Sequence, residues 1–397
     1  MGTIGAWLGV LVLIWLLLFS TVWLLGSRTT DRRHLTVGRV RRGWRSVRSA
    51  WLSTVLTGFG WPHVIDVLLR TKRTTVGITP SDVVWTSGSA TLRRYEGRRR
   101  RTPILVVHSM ITEPWILDLC DGHSLIGYLV GEGHDVYLLD WGAPGRAQAT
   151  HGLAEHVRIL REAERVVLEE SGRRRLDLVG YCLGALICLI RAATDPSRSV
   201  RSIVAIAPPI DVSSGGKLGG LLRHRLLRPA QLLDADACVP AAVVRETFHA
   251  LRPQALRSVA LGWRLRRDAT ATTYYGAMAR WAWEQRRLSG AMFLDLVDLY
   301  RSSAQLTGAL RFDGVTVDLS LVECPVLVLV AQRDHIVPEP ASAALETTGP
   351  TEVVTVPSGH VSMIVGSGAR DSTWPTLTRW FKQRRHARAV QPAHGRS

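Results

Sequence analysis

Lysine is almost missing from this 397-residue chain. Only Lys72, Lys217 and Lys382 occur, yet the formal net charge is +17. The basicity is therefore nearly all arginine, as GC-rich coding favours. Such a charge invites a nucleic-acid reading, but no nucleic-acid motif accompanies it, so no nucleic-acid partner is expected. Cysteine is also scarce. Cys120, Cys182, Cys188, Cys238 and Cys324 fall at irregular spacings, which excludes both a zinc pattern and a disulfide framework. Several lie in apolar runs, which suits a reducing compartment. No metal and no cofactor are expected, and no internal repeat is visible.

Charge of either sign is absent from Ile4 to Leu25. That stretch is long enough to cross a bilayer as one helix, with Trp7, Trp15 and Trp23 partly near the interfaces. A cleaved signal peptide is the rival, but there is no basic n-region and no small-x-small cleavage site. Arg28, Arg32, Arg33, Arg39, Arg41, Arg42, Arg45 and Arg48 follow. Residues 1–27 are thus expected to form a single-pass anchor in the cell membrane, with the lipid bilayer as a partner and the catalytic domain in the cytoplasm. Residues 28–80 read as a basic, part-helical region. It either lies along the membrane surface or packs as an N-terminal helix.

The chemistry is announced by Gly180-Tyr181-Cys182-Leu183-Gly184. It follows the apolar run Leu176–Val179 and opens the run Ala185–Ile190, which reads as strand, sharp turn and helix. Glycines flank the apex because no Cβ fits where strand and helix crowd together. This is the nucleophile elbow of an α/β-hydrolase fold, with Cys182 where serine is usual. It points to acyl transfer through a thioester. The bland alternative is a buried core cysteine in a glycine-rich turn.

In that fold the nucleophile, acid and histidine follow in chain order. Cys324–Val330 reads as a buried strand that runs into Asp334. Glu352–Val356 reads as a short alternating strand that runs through Pro357-Ser358-Gly359 into His360. Both residues fall just past strand ends, where α/β sheets place their chemistry. A loop aspartate is commonly only a turn or cap residue. His335 competes as the base, but neighbours on an extended loop point apart, which favours His360. His108, His123 and His134 lack the strand-end pairing. The oxyanion hole is expected from the backbone of Leu183, with Ser109 or Met110 on the loop after the strand Pro103–Val107.

Several segments together resemble the polyhydroxyalkanoate synthases. They are Ile104–Val107 through Glu113–Leu119, Gly133–Pro144 with its Asp140-Trp141-Gly142, the cysteine elbow, Val317-Asp318-Leu319, Asp334–Pro338 and Ser358-Gly359-His360. The resemblance runs from about Asp82 to about Phe381, and the length is that of the shorter, partner-dependent type. It implies that Cys182 carries the acyl chain, that His360 deprotonates it, and that Asp334 helps to activate the incoming 3-hydroxyl. The implied substrate is a 3-hydroxyacyl-CoA or related acyl thioester, with a partner subunit or homodimer left open. Hydrolysis of an ester or thioester by the same residues is the rival activity. A non-catalytic membrane scaffold is the rival of another class.

The expected organisation is an anchor (1–27), a basic region (28–80), an α/β-hydrolase catalytic domain (81–384) and a basic tail (385–397). A helical lid insertion is expected over about 211–318. It has little strand signal and many aromatics, which serve either an acyl tunnel or helix packing. A hairpin is predicted over Val83–Trp85 and Ala90–Tyr95, a long helix over His151–Ser171 and a final helix over Thr373–Arg384.

Overall fold

A computed structural model describes residues 74–98, 101–194, 198–224, 226–251, 269–302, 310–312, 315–345 and 347–386. Nearly all of them belong to one unit, formed by Arg70–Arg252 and Thr273–Ser397.

The strands in chain order are β1 (Asp82–Ser87), β2 (Ala90–Tyr95), β3 (Ile104–Val107), β4 (Val136–Asp140), β5 (Leu176–Tyr181), β6 (Val200–Ile206), β7 (Cys238–Val239), β8 (Leu288–Ser289), β9 (Leu310–Phe312), β10 (Val315–Val317), β11 (Val326–Ala331) and β12 (Thr351–Val356). The helices used below are α1 (Leu125–Gly131), α2 (Leu153–Ser171), α3 (Leu183–Thr194), α4 (Gly216–Arg223), α5 (Ala241–Leu251), α6 (Ala269–Trp283), α7 (Gly290–Ser302) and α8 (Thr373–His386).

Eight strands form one sheet in the order β1-β2-β4-β3-β5-β6-β11-β12. The β1–β2 hairpin is antiparallel and β2 meets β4 antiparallel, while every pairing from β4 to β12 is parallel. The composition explains this arrangement. Parallel strands covered on both faces read as unbroken apolar runs. Every residue of β3, β5 and β11 is buried. Outer β12 alternates and is mostly exposed until Val356.

Helix α3 packs on β5 and β6, and α2 packs on α3. The buried Arg191 of α3 bonds Glu164 of α2 at 2.7 Å, so the buried charges in that interface meet each other. α8 buries Leu377, Trp380 and Phe381. The Trp380 indole N–H donates to Ser202 Oγ of β6 at 3.2 Å.

Two expectations change. Between β6 and β11 the described residues are mainly helical, as the weak strand signal suggests. They also contain two small antiparallel sheets, β7–β8 and β9–β10. Strands of two or three residues are too short to show a period of two.

The placement in the cell membrane is the second correction. Among the described residues, no helix is long and apolar enough to cross a membrane. The longest, α2, carries Glu155, Arg158, Arg161, Glu162, Glu164, Arg165, Glu169 and Glu170. The strongly apolar α3 has 12 residues, about 18 Å of helix against a hydrocarbon core of about 30 Å. Ile4–Leu25, the basic stretch to residue 73 and the tail beyond residue 386 lie outside the described residues.

Candidate active site

β5 ends at Tyr181 and α3 begins at Leu183, so the turn between them is Cys182 alone. Its φ of 54° is left-handed, an uncommon state for a residue with a Cβ. The surroundings hold it there. The Cys182 N–H donates to Ile206 O of β6 at 2.8 Å, and its carbonyl accepts from Ala185 and Leu186, starting α3. The flanking glycines answer crowding. A Cβ on Gly180 would lie 2.3 Å from Ala185 Cα, and one on Gly184 would lie 2.1 Å from Val107 O. Neither contact is tolerable, so strand and helix approach this closely only because both positions are glycine.

Asp334 lies in the turn after β11. Its Oδ1 accepts from the N–H groups of Ile336 and Val337 at 2.8 and 2.9 Å. It is therefore a turn residue, and its other oxygen does more. Oδ2 lies 2.6 Å from His360 Nδ1. The two loops are tied by the backbone bond from Arg333 N–H to Ser358 O at 2.8 Å. With Nδ1 engaged by Asp334, the other ring nitrogen of His360 is the one left over, and Cys182 is among the groups that act electrostatically on the ring. Burial pulls the His360 pKa down, but the charges of Cys182 and Asp334 and their hydrogen bonds push it up to about 10. Cys182, Asp334 and His360 are each buried.

The loop His108–Thr112 leaves β3 beside the elbow, since Val107 pairs with Gly180 in the sheet. The Gly184 contact places α3's first turn directly against the carbonyls of Val107 and His108. Ser109 and Met110 follow directly on the loop, and Leu183 is the first residue of α3.

The competing histidines go elsewhere. His335 is exposed. The His123 ring nitrogen Nδ1 lies 2.6 Å from Val365 O, and His134 stacks near Phe381. His108 is fully buried, 3.9 Å from Asp140, and burial pushes its pKa down to about 4.

Two aromatic residues neighbour the site: Tyr181 of the elbow itself, and Tyr300, one of the aromatics of the expected lid insertion. The Tyr181 ring lies 5.2 Å from the His360 ring. Tyr300 of α7 packs on Gly215 and Gly219, where added Cβ atoms would come within 2.6 and 3.1 Å. Burial holds its hydroxyl well above the usual phenol range, and the Cys182 charge adds to this. Tyr300 therefore stands within electrostatic reach of the thiol. Among the described residues, no group of three or more His, Cys, Asp or Glu side chains could hold a metal ion.

A family model described as the alpha/beta hydrolase fold matches residues 102–367. The chain belongs to the alpha/beta hydrolase fold family. Within that family it is similar to the poly(3-hydroxyalkanoate) polymerase subunits PhaC, which bears out the resemblance read from the motifs. The protein of that name from Haloferax mediterranei is 29% identical over 321 residues, 78% of this chain and 65% of that protein. The one from Thiocystis violacea is 26% identical over 337 residues, 81% of this chain and 93% of that protein. The one from Allochromatium vinosum is 28% identical over 339 residues, again 81% and 93%. The chain thus spans under two thirds of the haloarchaeal relative and nearly all of the two bacterial ones. As an alpha/beta hydrolase fold, it matches the expected fold class. The transmembrane helix expected to precede that fold falls outside the described residues.

Proposed function

We propose that this hydrolase-fold chain is an acyltransferase of the polyhydroxyalkanoate synthase kind. It moves 3-hydroxyacyl groups from CoA thioesters to a growing polyester through a thioester on Cys182. The observation that carries the reading is a buried cysteine at the apex of a left-handed elbow, with the downstream histidine also buried and bonded to Asp334 at 2.6 Å. The printed names of the relatives support the same activity.

The Cys182 thiol gives its proton to His360 and the thiolate attacks the acyl carbonyl carbon. The charge passes to the carbonyl oxygen, which the Leu183 amide and a Ser109 or Met110 amide receive. The bond to the CoA sulfur breaks, and His360 returns the proton to it. In the second half, a 3-hydroxyl gives its proton to a base as its oxygen attacks the Cys182 thioester carbonyl. The bond to the Cys182 sulfur breaks, and the sulfur takes the proton back, which leaves the new ester and a free Cys182 thiol.

Family resemblance assigns that second proton partly to Asp334. In this chain both Asp334 oxygens are engaged, one by two amides and one by His360. The geometry favours His360 as the base in both halves, with Asp334 orienting it. The helices between β6 and β11 serve as a lid over this site in the same proposal. A partner subunit or second copy remains part of it, by analogy with proteins named as subunits.

Hydrolysis would use the same residues with water as the acceptor, and the relatives' names do not favour it. Incubation with 3-hydroxybutyryl-CoA separates the two. Synthase activity releases free CoA and leaves insoluble polyester. Hydrolase activity releases CoA and soluble 3-hydroxybutyrate, and that outcome would sink the proposal.

A further inference from the structure

Arg286 lies in the short connection between α6 and β8, far along the chain from the carboxylates it meets. Its guanidinium bonds Glu113 at 2.8 Å and reaches both oxygens of Asp140, one through Nη1 and the other at 3.4 Å from Nη2. Its backbone N–H donates to Ile111 O at 3.3 Å. Ile111 and Glu113 flank the far end of the loop His108–Thr112. Asp140 ends β4 and is followed by Trp141, whose indole N–H donates to His108 O at 2.9 Å. These contacts close a ring. It runs from His108 to Trp141, along the chain to Asp140, across to Arg286, and back through Ile111 and Glu113 to the loop.

The ring matters because the loop has left the sheet at Val107 and has no strand partner of its own. Its two ends are fixed through one guanidinium. That side chain is 11% exposed, so both ion pairs are screened little by water. Arginine suits the role because its planar fork can hold two carboxylates at once, which an ammonium does poorly.

We infer that Arg286 is a positioning residue for the oxyanion loop. It holds the Ser109 and Met110 amides in place against the Leu183 amide, and it ties their placement to the insertion that carries it. The inference rests on the acyl-transfer reading above. Oxyanion donors act only where they are already placed for the transition state. A shift of about 1 Å in such a group costs on the order of 10²-fold in rate.

The test compares two reactions of one thiol. Acylation by 3-hydroxybutyryl-CoA develops an oxyanion, whereas alkylation by iodoacetamide does not. Arg286→Met should slow single-turnover acylation by roughly 10- to 100-fold while Cys182 alkylation stays within about twofold of the parent. Arg286→Lys should fall between the two, since it keeps the charge and loses the fork. Arg286→Met also strands two carboxylates and can compromise folding, so Glu113→Gln provides a second route. It leaves the Asp140 pair intact and should slow acylation by a smaller factor, again with alkylation unchanged. Equal losses in both reactions, or no loss in either, in these variants would overturn the inference. A parent enzyme that is alkylated but never acylated by an acyl-CoA would overturn the acyl-transfer reading and this inference with it.

Discussion

A buried carboxylate and a partly buried one hold arginines at opposite ends of the same sheet. Near the amino end of β5, Asp177 bonds Arg201 and accepts from Ser202 Oγ at 2.7 Å. At the carboxyl end of β4, Asp140 bonds Arg286 and accepts from Gly142 N–H at 2.8 Å. The chemistry is alike and the balance is opposite. At Asp177 burial prevails and raises the carboxyl pKa despite Arg201 and Ser202. At Asp140 burial also raises it, but His108, Arg286 and Gly142 prevail and lower it. Asp177 joins β5 to β6 and, through Ser202, to Trp380. Asp140 sits where β4 hands over to loops beside the elbow. Parallel α/β sheets keep their chemistry outside the carboxyl ends of the strands. The same pair is therefore a strand clamp at one end and part of the site's frame at the other.

The strongest way to break this comparison is at the elbow. Cys182→Ala should lower acyl-adduct formation by at least about 10⁴-fold, read as mass added to the protein after mixing with 3-hydroxybutyryl-CoA. Its unfolding free energy should stay within about 1 kcal/mol of the parent. A variant that still acquires a stoichiometric acyl adduct would remove Cys182 from the mechanism.

The mirror experiment is at the other end. Asp177→Asn leaves Arg201 without its counter-charge beside a buried strand. It should destabilise the fold by about 3 kcal/mol, the low end for a broken buried pair because the amide oxygen introduced there can still accept from the Arg201 guanidinium. Acylation by the folded fraction should be unchanged. Urea titration combined with active-thiol counting measures both. A large rate loss per folded molecule would show that the two ends are not separable.

Sequence and structure agree best where order along the chain carries the signal. Asp334 and His360 are each placed by a strand that ends just before them, so local apolar runs locate them without knowledge of the sheet. Cys182 is marked by two glycines that the crowded turn requires. Arg286 carries no such mark. Its partners Glu113 and Asp140 lie 173 and 146 residues away, and nothing in the segment Glu284-Gln285-Arg286-Arg287 separates it from a solvated basic turn. Tyr300 reads as one of several insertion aromatics, suited equally to an acyl tunnel or to helix packing. The β7–β8 pair joins residues about fifty apart through two-residue strands, below the length at which alternation can be seen. Ile4–Leu25, with its clear hydropathy pattern and flanking arginines, lies outside the described residues.

The smallest expected effects sharpen the comparison within the catalytic end itself, because two buried histidines there respond to pH with opposite sign. His360 is raised to about 10 by Cys182 and Asp334 against the pull of burial. Its stabilisation is complete below the unfolded value near 6.5 and is lost as pH rises through about 10. His156 of α2 lies with Nδ1 2.7 Å from Gly152 O and its ring 4.9 Å from Trp141. Burial outweighs that hydrogen bond and the nearby Glu155, and lowers its pKa to about 4. Between about pH 6.5 and 4 the unfolded chain takes up a proton that native His156 refuses, so stability falls as the pH falls through that window. His156→Gln should flatten the acid limb of the stability profile without abolishing it, because His108 is lowered to about 4 in the same way. It should leave the alkaline limb and Cys182 alkylation unchanged. His360→Gln should flatten the alkaline limb and also slow acylation. Urea midpoints taken at half-unit steps from pH 4 to 10 read both limbs. If His156→Gln altered acylation as strongly as His360→Gln, nearness to the carboxyl end would matter more than contact with the thiol.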